Sequence, residues 1–96
     1  MPMFVGLFNF TDQGIRNVKE TTKRYETAKA QGEKMGVKLL NFYYTLGPYD
    51  CIAIAEAKDE ESLTAFMLAS GAAGNVRTLS MRAFTVEEMK GLLAKF

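Results

Sequence analysis

Residues 3–10 (MFVGLFNF) and 49–57 (YDCIAIAEA) are apolar on both of their alternating faces, and this restricts the possible folds more than any other feature of the chain. In the first, Met3, Val5 and Leu7 share one side while Phe4, Phe8 and Phe10 share the other. In the second, small Cys51, Ala53 and Ala55 oppose Ile52 and Ile54. Side chains alternate across a strand, so a strand with two apolar faces belongs in the middle of a sheet covered on both sides.

The segments between fit around such strands. After residues 3–10, Thr11 or Asp12 can cap a helix whose inward stripe is Ile15, Val18, Tyr25, Ala28, Gly32 and Met35, ended by Gly36. Residues 37–46 read as a second strand, and Gly47-Pro48 turns the chain into the third at 49–57. Asp59 caps a second helix with Leu63, Phe66, Met67 and Ser70 inward, and Gly71 and Gly74 close it. Residues 76–84 alternate as a fourth strand. Thr85 and Glu88 then form a capping box for a last helix with a buried stripe of Val86, Met89, Leu92, Leu93 and Phe96.

This order, strand-helix-strand-strand-helix-strand, defines one α+β domain over residues 1–96, ferredoxin-like, with an antiparallel sheet ordered 4-1-3-2 and a C-terminal helix. Both main helices lie on one sheet face, leaving the other apolar face open. A second copy packed sheet to sheet covers it, so the expected partner is the chain itself, in a homodimer.

Composition excludes several functions. Twelve basic residues against eleven acidic ones give a net charge of +1, too little to draw the whole protein to nucleic acid or an anionic membrane. Residues 49–57 also lack the basic-aromatic pattern of an RNA-binding strand. Apolar runs are strand-sized and the start lacks signal-peptide character, so the expected location is cytoplasmic. One cysteine and no histidine exclude a disulfide, a cysteine zinc site and every imidazole-based catalytic pair, and no cofactor is expected. The scattered methionines read as core filler, and the charges of the first helix, with Lys19, Lys23, Arg24 and Lys29 among Glu20, Glu26 and Glu33, as a solvated, salt-bridged face.

The topology brings the ends of strands 1 and 2 together with the starts of strands 3 and 4, and so gathers Phe10, Tyr44, Tyr49, Asp50, Arg77 and Thr78 at one end of the sheet, beside the N-terminus of the first helix. Asp50 and Arg77 lie about 10 Å apart, two strand spacings, a gap that an arginine can bridge. The plainest reading is an Asp50–Arg77 ion pair with Tyr49 at the rim of the core. The functional reading makes Tyr44, Tyr49, Asp50, Arg77 and Thr78 a small-molecule site: Arg77 holds an anionic or enolic oxygen, a tyrosine donates a hydrogen bond, and Asp50 or Glu56 acts as base. These readings leave three functions open: a ligand-binding homodimer, a cofactor-independent enzyme acting on an enolisable or phenolic substrate, and a structural dimer without ligand.

The run Tyr44-Thr45-Leu46-Gly47-Pro48-Tyr49-Asp50, with Ile54-Ala55-Glu56-Ala57 and Gly74-Asn75-Val76-Arg77-Thr78, resembles the GYD-domain family. Gly47, Tyr49 and Asp50 correspond to the signature, with Pro48 inserted. The resemblance covers nearly the whole chain and implies the dimeric α/β-barrel superfamily, which includes cofactor-independent monooxygenases, muconolactone isomerases, haem enzymes and ligand-binding regulatory modules. Without histidine, the haem and most metal branches fit poorly.

Overall fold

A computed structural model describes residues 1–96. Strand β1 (Met3–Phe10) leads into a short helix α1 (Asp12–Arg16), a 3₁₀ turn (Val18–Glu20) and helix α2 (Thr21–Lys34). Strands β2 (Val37–Tyr44) and β3 (Cys51–Ala57) follow, then helix α3 (Glu60–Ala72), strand β4 (Val76–Ala83) and helix α4 (Val86–Leu93). The sheet is antiparallel throughout, in the order β2-β3-β1-β4, so the ferredoxin-like arrangement expected from the sequence is the one observed.

One sheet face carries the core. Phe4 and Phe8 of β1, Val37 and Leu39 of β2, and Cys51, Ala53, Ala55 and Ala57 of β3 are buried against Leu63 and Phe66 of α3. The alanines let α3 sit close to the sheet. A Cβ on Gly32 of α2 would meet the Phe66 ring at 3.2 Å, so glycine allows the two helices to touch there.

The opposite face is open. The register aligns Tyr43, Ile52, Leu7 and Leu79 in one row and Asn41, Ile54, Val5 and Met81 in the next. Val5, Leu7, Ile52 and Ile54 are half-buried by their neighbours, while Tyr43, Leu79 and Met81 are exposed. This is the second apolar side read from β1 and β3.

Several boundaries differ from the expectation. The first helix is interrupted: Thr11 caps α1 through a bond from the Gly14 amide, and the chain passes through the 3₁₀ turn before α2 starts. β2 ends at Tyr44 rather than 46, and Leu46 stands fully exposed in the loop. β3 starts at Cys51, because Tyr49 and Asp50 belong to a turn in which Thr45 Oγ1 donates to the Tyr49 carbonyl at 2.6 Å.

The helical caps agree with the sequence. Asp59 accepts the Ser62 amide at 2.7 Å, and Thr85 and Glu88 exchange both bonds of the capping box. The stripe of α4 is nevertheless not buried within one chain. Phe96 is wholly exposed, Val86, Met89 and Leu93 are exposed, Leu92 is half-buried, and no residue of α4 is buried. The capping box starts α4 directly after β4 and leaves no loop to fold the helix back beneath the sheet. Arg82, stacked on the Phe84 ring at 4.3 Å and 3.8 Å from Glu88, holds its base.

Candidate functional site

Gly32 and Phe66 bring α2 and α3 together at one end of the layer, and between Thr21–Gln31 of α2 and the stretch from Phe66 of α3 to Ala73 just past its end a cleft opens down to the sheet. Its volume is about 350 Å³, at the small end of ligand pockets, which span about 300–1,000 Å³. The walls are mainly apolar. Phe42 lies at their centre, 4.5 Å from the Tyr25 ring, 5.3 Å from Tyr44 and 6.1 Å from Phe8, measured between centroids. Ala53 and Cys51 form the floor, and Ala69 and Ala73 the side toward α3. The small residues of β3, which read in the sequence as room for a helix, also leave this space.

Polar side chains interrupt the lining along α2, from Thr21 to Gln31, and again at Ser70 and Asn75. Tyr44 Oη and Thr21 Oγ1 are 3.2 Å apart, and Gln31, Ser70 and Asn75 contribute to the rim. Glu20 and Lys23 pair at 3.6 Å. Arg24 donates from Nη1 to the Asn17 carbonyl at 2.7 Å and from Nη2 to the Gly14 carbonyl at 3.3 Å, but joins no ion pair. Buried Cys51 has a thiol pushed up to about 11, first by loss of solvent and then by the Asp50 charge, with Arg24 pulling the other way. It is therefore a protonated wall residue near neutral pH, not a nucleophile.

The five residues singled out from the sequence lie at one end of the sheet but do not form one site. Tyr44 lines the cleft beneath the helices. Tyr49, Arg77 and Thr78 line a separate groove of about 220 Å³ with Leu7, Asn9 and Leu79. Asp50 serves the fold: its Oδ2 accepts the Phe10 amide at 2.9 Å, and its own amide donates to the Phe8 carbonyl at 2.8 Å. The carboxylate thus satisfies the last N–H of β1, beyond the point where β3 begins to pair. The Asp50–Arg77 ion pair is not formed, because the Asp50 carboxylate is held on β1 while Arg77 projects from the edge strand β4.

Gly47 occupies a left-handed conformation, φ 113°, that a side chain would strain, which explains a glycine at this point of the signature. Arg24 and Cys51 were not singled out as site residues. Arg24 read as part of a solvated face, and of that face only Lys23 and Glu20 pair. Its position three residues after Thr21 and four before Ala28, beside the buried stripe, was the available signal.

The GYD-domain pattern matches residues 4–93, and the chain belongs to the GYD-domain family. It is 30% identical over 90 residues to the glutamine synthetase and cystathionine beta-lyase binding protein of Thermus thermophilus, an alignment covering 93% of this chain and 95% of that one. Among solved structures, MtbAldR superposes with a TM-score of 0.69 at 14% identity, over 88% of this chain and 53% of its own, so the chain spans about half that protein. FFRP-DM1 (TM-score 0.61, 19% identity, 88% and 100% coverage) and TTHA0845 from Thermus thermophilus (0.56, 20%, 90% and 96%) share the arrangement. These likenesses establish the fold, a ferredoxin-like α+β arrangement shared with all three. No helix is long and apolar enough to cross a membrane.

Proposed function

We propose that this GYD-domain protein is a homodimeric accessory protein that binds a small molecule in the cleft between α2, α3 and the sheet. The observation that carries the reading is the cleft itself, about 350 Å³ with aromatic walls and polar groups along its rim. A scaffold whose only task was to pair would gain stability by filling that space, since lost packing in a core costs free energy. The binding region thus moves from the sheet end to beneath the helices, and of the five residues named from the sequence it retains Tyr44.

The test is native mass spectrometry of the protein purified from its own source, beside an Ala69→Phe variant. Wild-type protein is expected to retain a small noncovalent mass that the variant, with its cleft filled, lacks. No retained mass, together with no response of cleft resonances to small aromatic probes, would overturn the reading.

A second reading, docking on larger enzymes, is favoured by the relative named for binding glutamine synthetase and cystathionine beta-lyase. The exposed apolar stripe of α4 supports it. A ligand in the cleft and a protein on the outer surface are compatible, and the combination describes a ligand-responsive adaptor.

A further inference from the structure

We infer that the cleft selects an apolar carboxylate, an aryl or short alkyl acid whose carboxyl group meets Arg24 while its hydrocarbon part lies among Phe8, Tyr25 and Phe42. The inference rests on the ligand-binding reading above and adds to it the chemical class of the ligand.

The charges of the lining decide its sign. The cleft is lined by three charged side chains, Glu20, Lys23 and Arg24, and the first two stand 3.6 Å apart on the exposed rim, so their charges sum to zero. Arg24 remains as a half-buried cation with no carboxylate partner anywhere in the chain. Two of its five N–H groups are held by the carbonyls of Asn17 and Gly14. Those bonds fix the guanidinium across the junction of α1 and α2 and leave three donors.

A fixed, partly dehydrated guanidinium is suited to a carboxylate, because its planar fork matches two oxygens and little side-chain entropy remains to be lost. Asp50, the nearby acid of the β3 turn, has an oxygen committed to the Phe10 amide. The hydroxyl pair Tyr44–Thr21 lies on the same cleft and can donate one further bond to an acceptor. On the hydrocarbon side, the Phe8, Phe42 and Tyr25 rings and the small Ala28, Ala53 and Ala69 leave space for one or two rings. A cationic ligand would meet Arg24 without an unpaired acid to offset it, and a strongly polar one would lose hydration against phenyl walls.

The experiment is titration of the full chain, followed by amide NMR shifts and calorimetry, with 2-naphthoate, neutral 2-naphthamide and cationic 2-naphthylmethylammonium. The expected result is shifts at cleft residues with 2-naphthoate bound at least about tenfold tighter than the amide and the ammonium probe weakest. Arg24→Gln is expected to bring acid and amide to equal affinity, and Arg24→Lys to restore part of the preference. Because the acid-to-amide ratio is taken within each protein, a loss of stability from releasing Asn17 and Gly14 does not imitate the effect. Equal binding of acid and amide to wild-type protein overturns the carboxylate assignment and leaves the cleft as a neutral apolar site. A preference that survives in Arg24→Gln also overturns it. Failure of all three probes to shift cleft residues overturns the ligand-binding reading and the assignment together.

Discussion

At the scale of single residues, the chain separates roles that its linear order runs together. Tyr49 and Asp50 are neighbours in the signature, yet Asp50 closes the end of β1 through the Phe10 amide while Tyr49 faces a groove with Arg77. Alternation and element order were enough to place both residues at that end of the sheet. Which atoms each would bind was not legible, because it depends on where β3 starts, and one residue there changes the face. Cys51 shows a reading that held: the lone cysteine is small, apolar in behaviour and buried. Its thiol, raised to about 11 by burial and then by Asp50, favours the protonated form in the folded state. The unfolded thiol ionises near its ordinary value of about 8.5. The stabilising contribution is therefore complete below about 8.5 and is lost as pH rises toward about 11. Denaturation of wild-type protein and Cys51→Ala across this range should show the variant less stable by about 1 kcal/mol near pH 7, from the lost sulfur packing. The wild-type advantage should then shrink as the solution becomes alkaline. A difference that stays constant would show that the thiol ionises alike in both states.

At the scale of elements, the strands and their order were readable because period-two alternation and strong turn signals agree, whereas the first helix was not readable in detail. The inward stripe expected there passes continuously through Ile15, Val18 and Tyr25, so nothing in the periodicity marks the break at Asn17; in the structure Ile15 and Val18 are exposed, because α1 is tied instead to the loop before β4. Thr11 donates to the Gly74 carbonyl at 2.5 Å, and Gln13 reaches the Ala73 carbonyl and the Asn75 side chain. The same contacts that break the helix place Arg24 over the carbonyls of Gly14 and Asn17, and so create the charged end of the cleft. Helix α4 is the opposite case, with its start given by the capping box and its environment misread. An eight-residue helix is marginal in water by itself, so its cap matters more than usual. The Glu88 carboxylate is held below the usual range, first by its bond from the Thr85 amide, and this contribution weakens as pH falls. Thr85→Ala removes the acceptor for the Glu88 amide and should cost about 1 kcal/mol, confined to α4. Hydrogen exchange is the measurement: amides of residues 86–93 should exchange several-fold faster while those of β1 and β3 do not change. A uniform rise across the sheet would show instead that α4 is integral to the core.

At the scale of the whole molecule, the two apolar surfaces left outside the core belong to one problem. The sheet face has four strands about 4.8 Å apart and about 20–25 Å long, so it presents roughly 400–500 Å² in projection. A stable interface needs about 800 Å² from each partner. The stripe Val86, Met89 and Leu93 of α4 supplies further apolar surface, and the helix extends from the sheet in a molecule whose longest dimension is 50 Å. Two-sided apolar strands announced in the sequence that something must cover this face. The identity of the cover could not be read there, because any apolar surface satisfies the same alternation. The cover we propose is a second copy, placed on the central apolar square of Val5, Leu7, Ile52 and Ile54 flanked by Tyr43, Leu79 and Met81. Ile54 lies in the square on the side away from the buried core, so Ile54→Lys should place a charge at the centre of the pairing surface without disturbing the helix layer. Light scattering should then give wild-type protein twice the 10.7 kDa of the chain and the variant a single chain's mass, with circular dichroism unchanged. Wild-type protein that stays monomeric at micromolar concentration would overturn the homodimer. A variant that still dimerises would move the interface to the α4 stripe, where Met89→Glu and Leu93→Glu would be the corresponding substitutions.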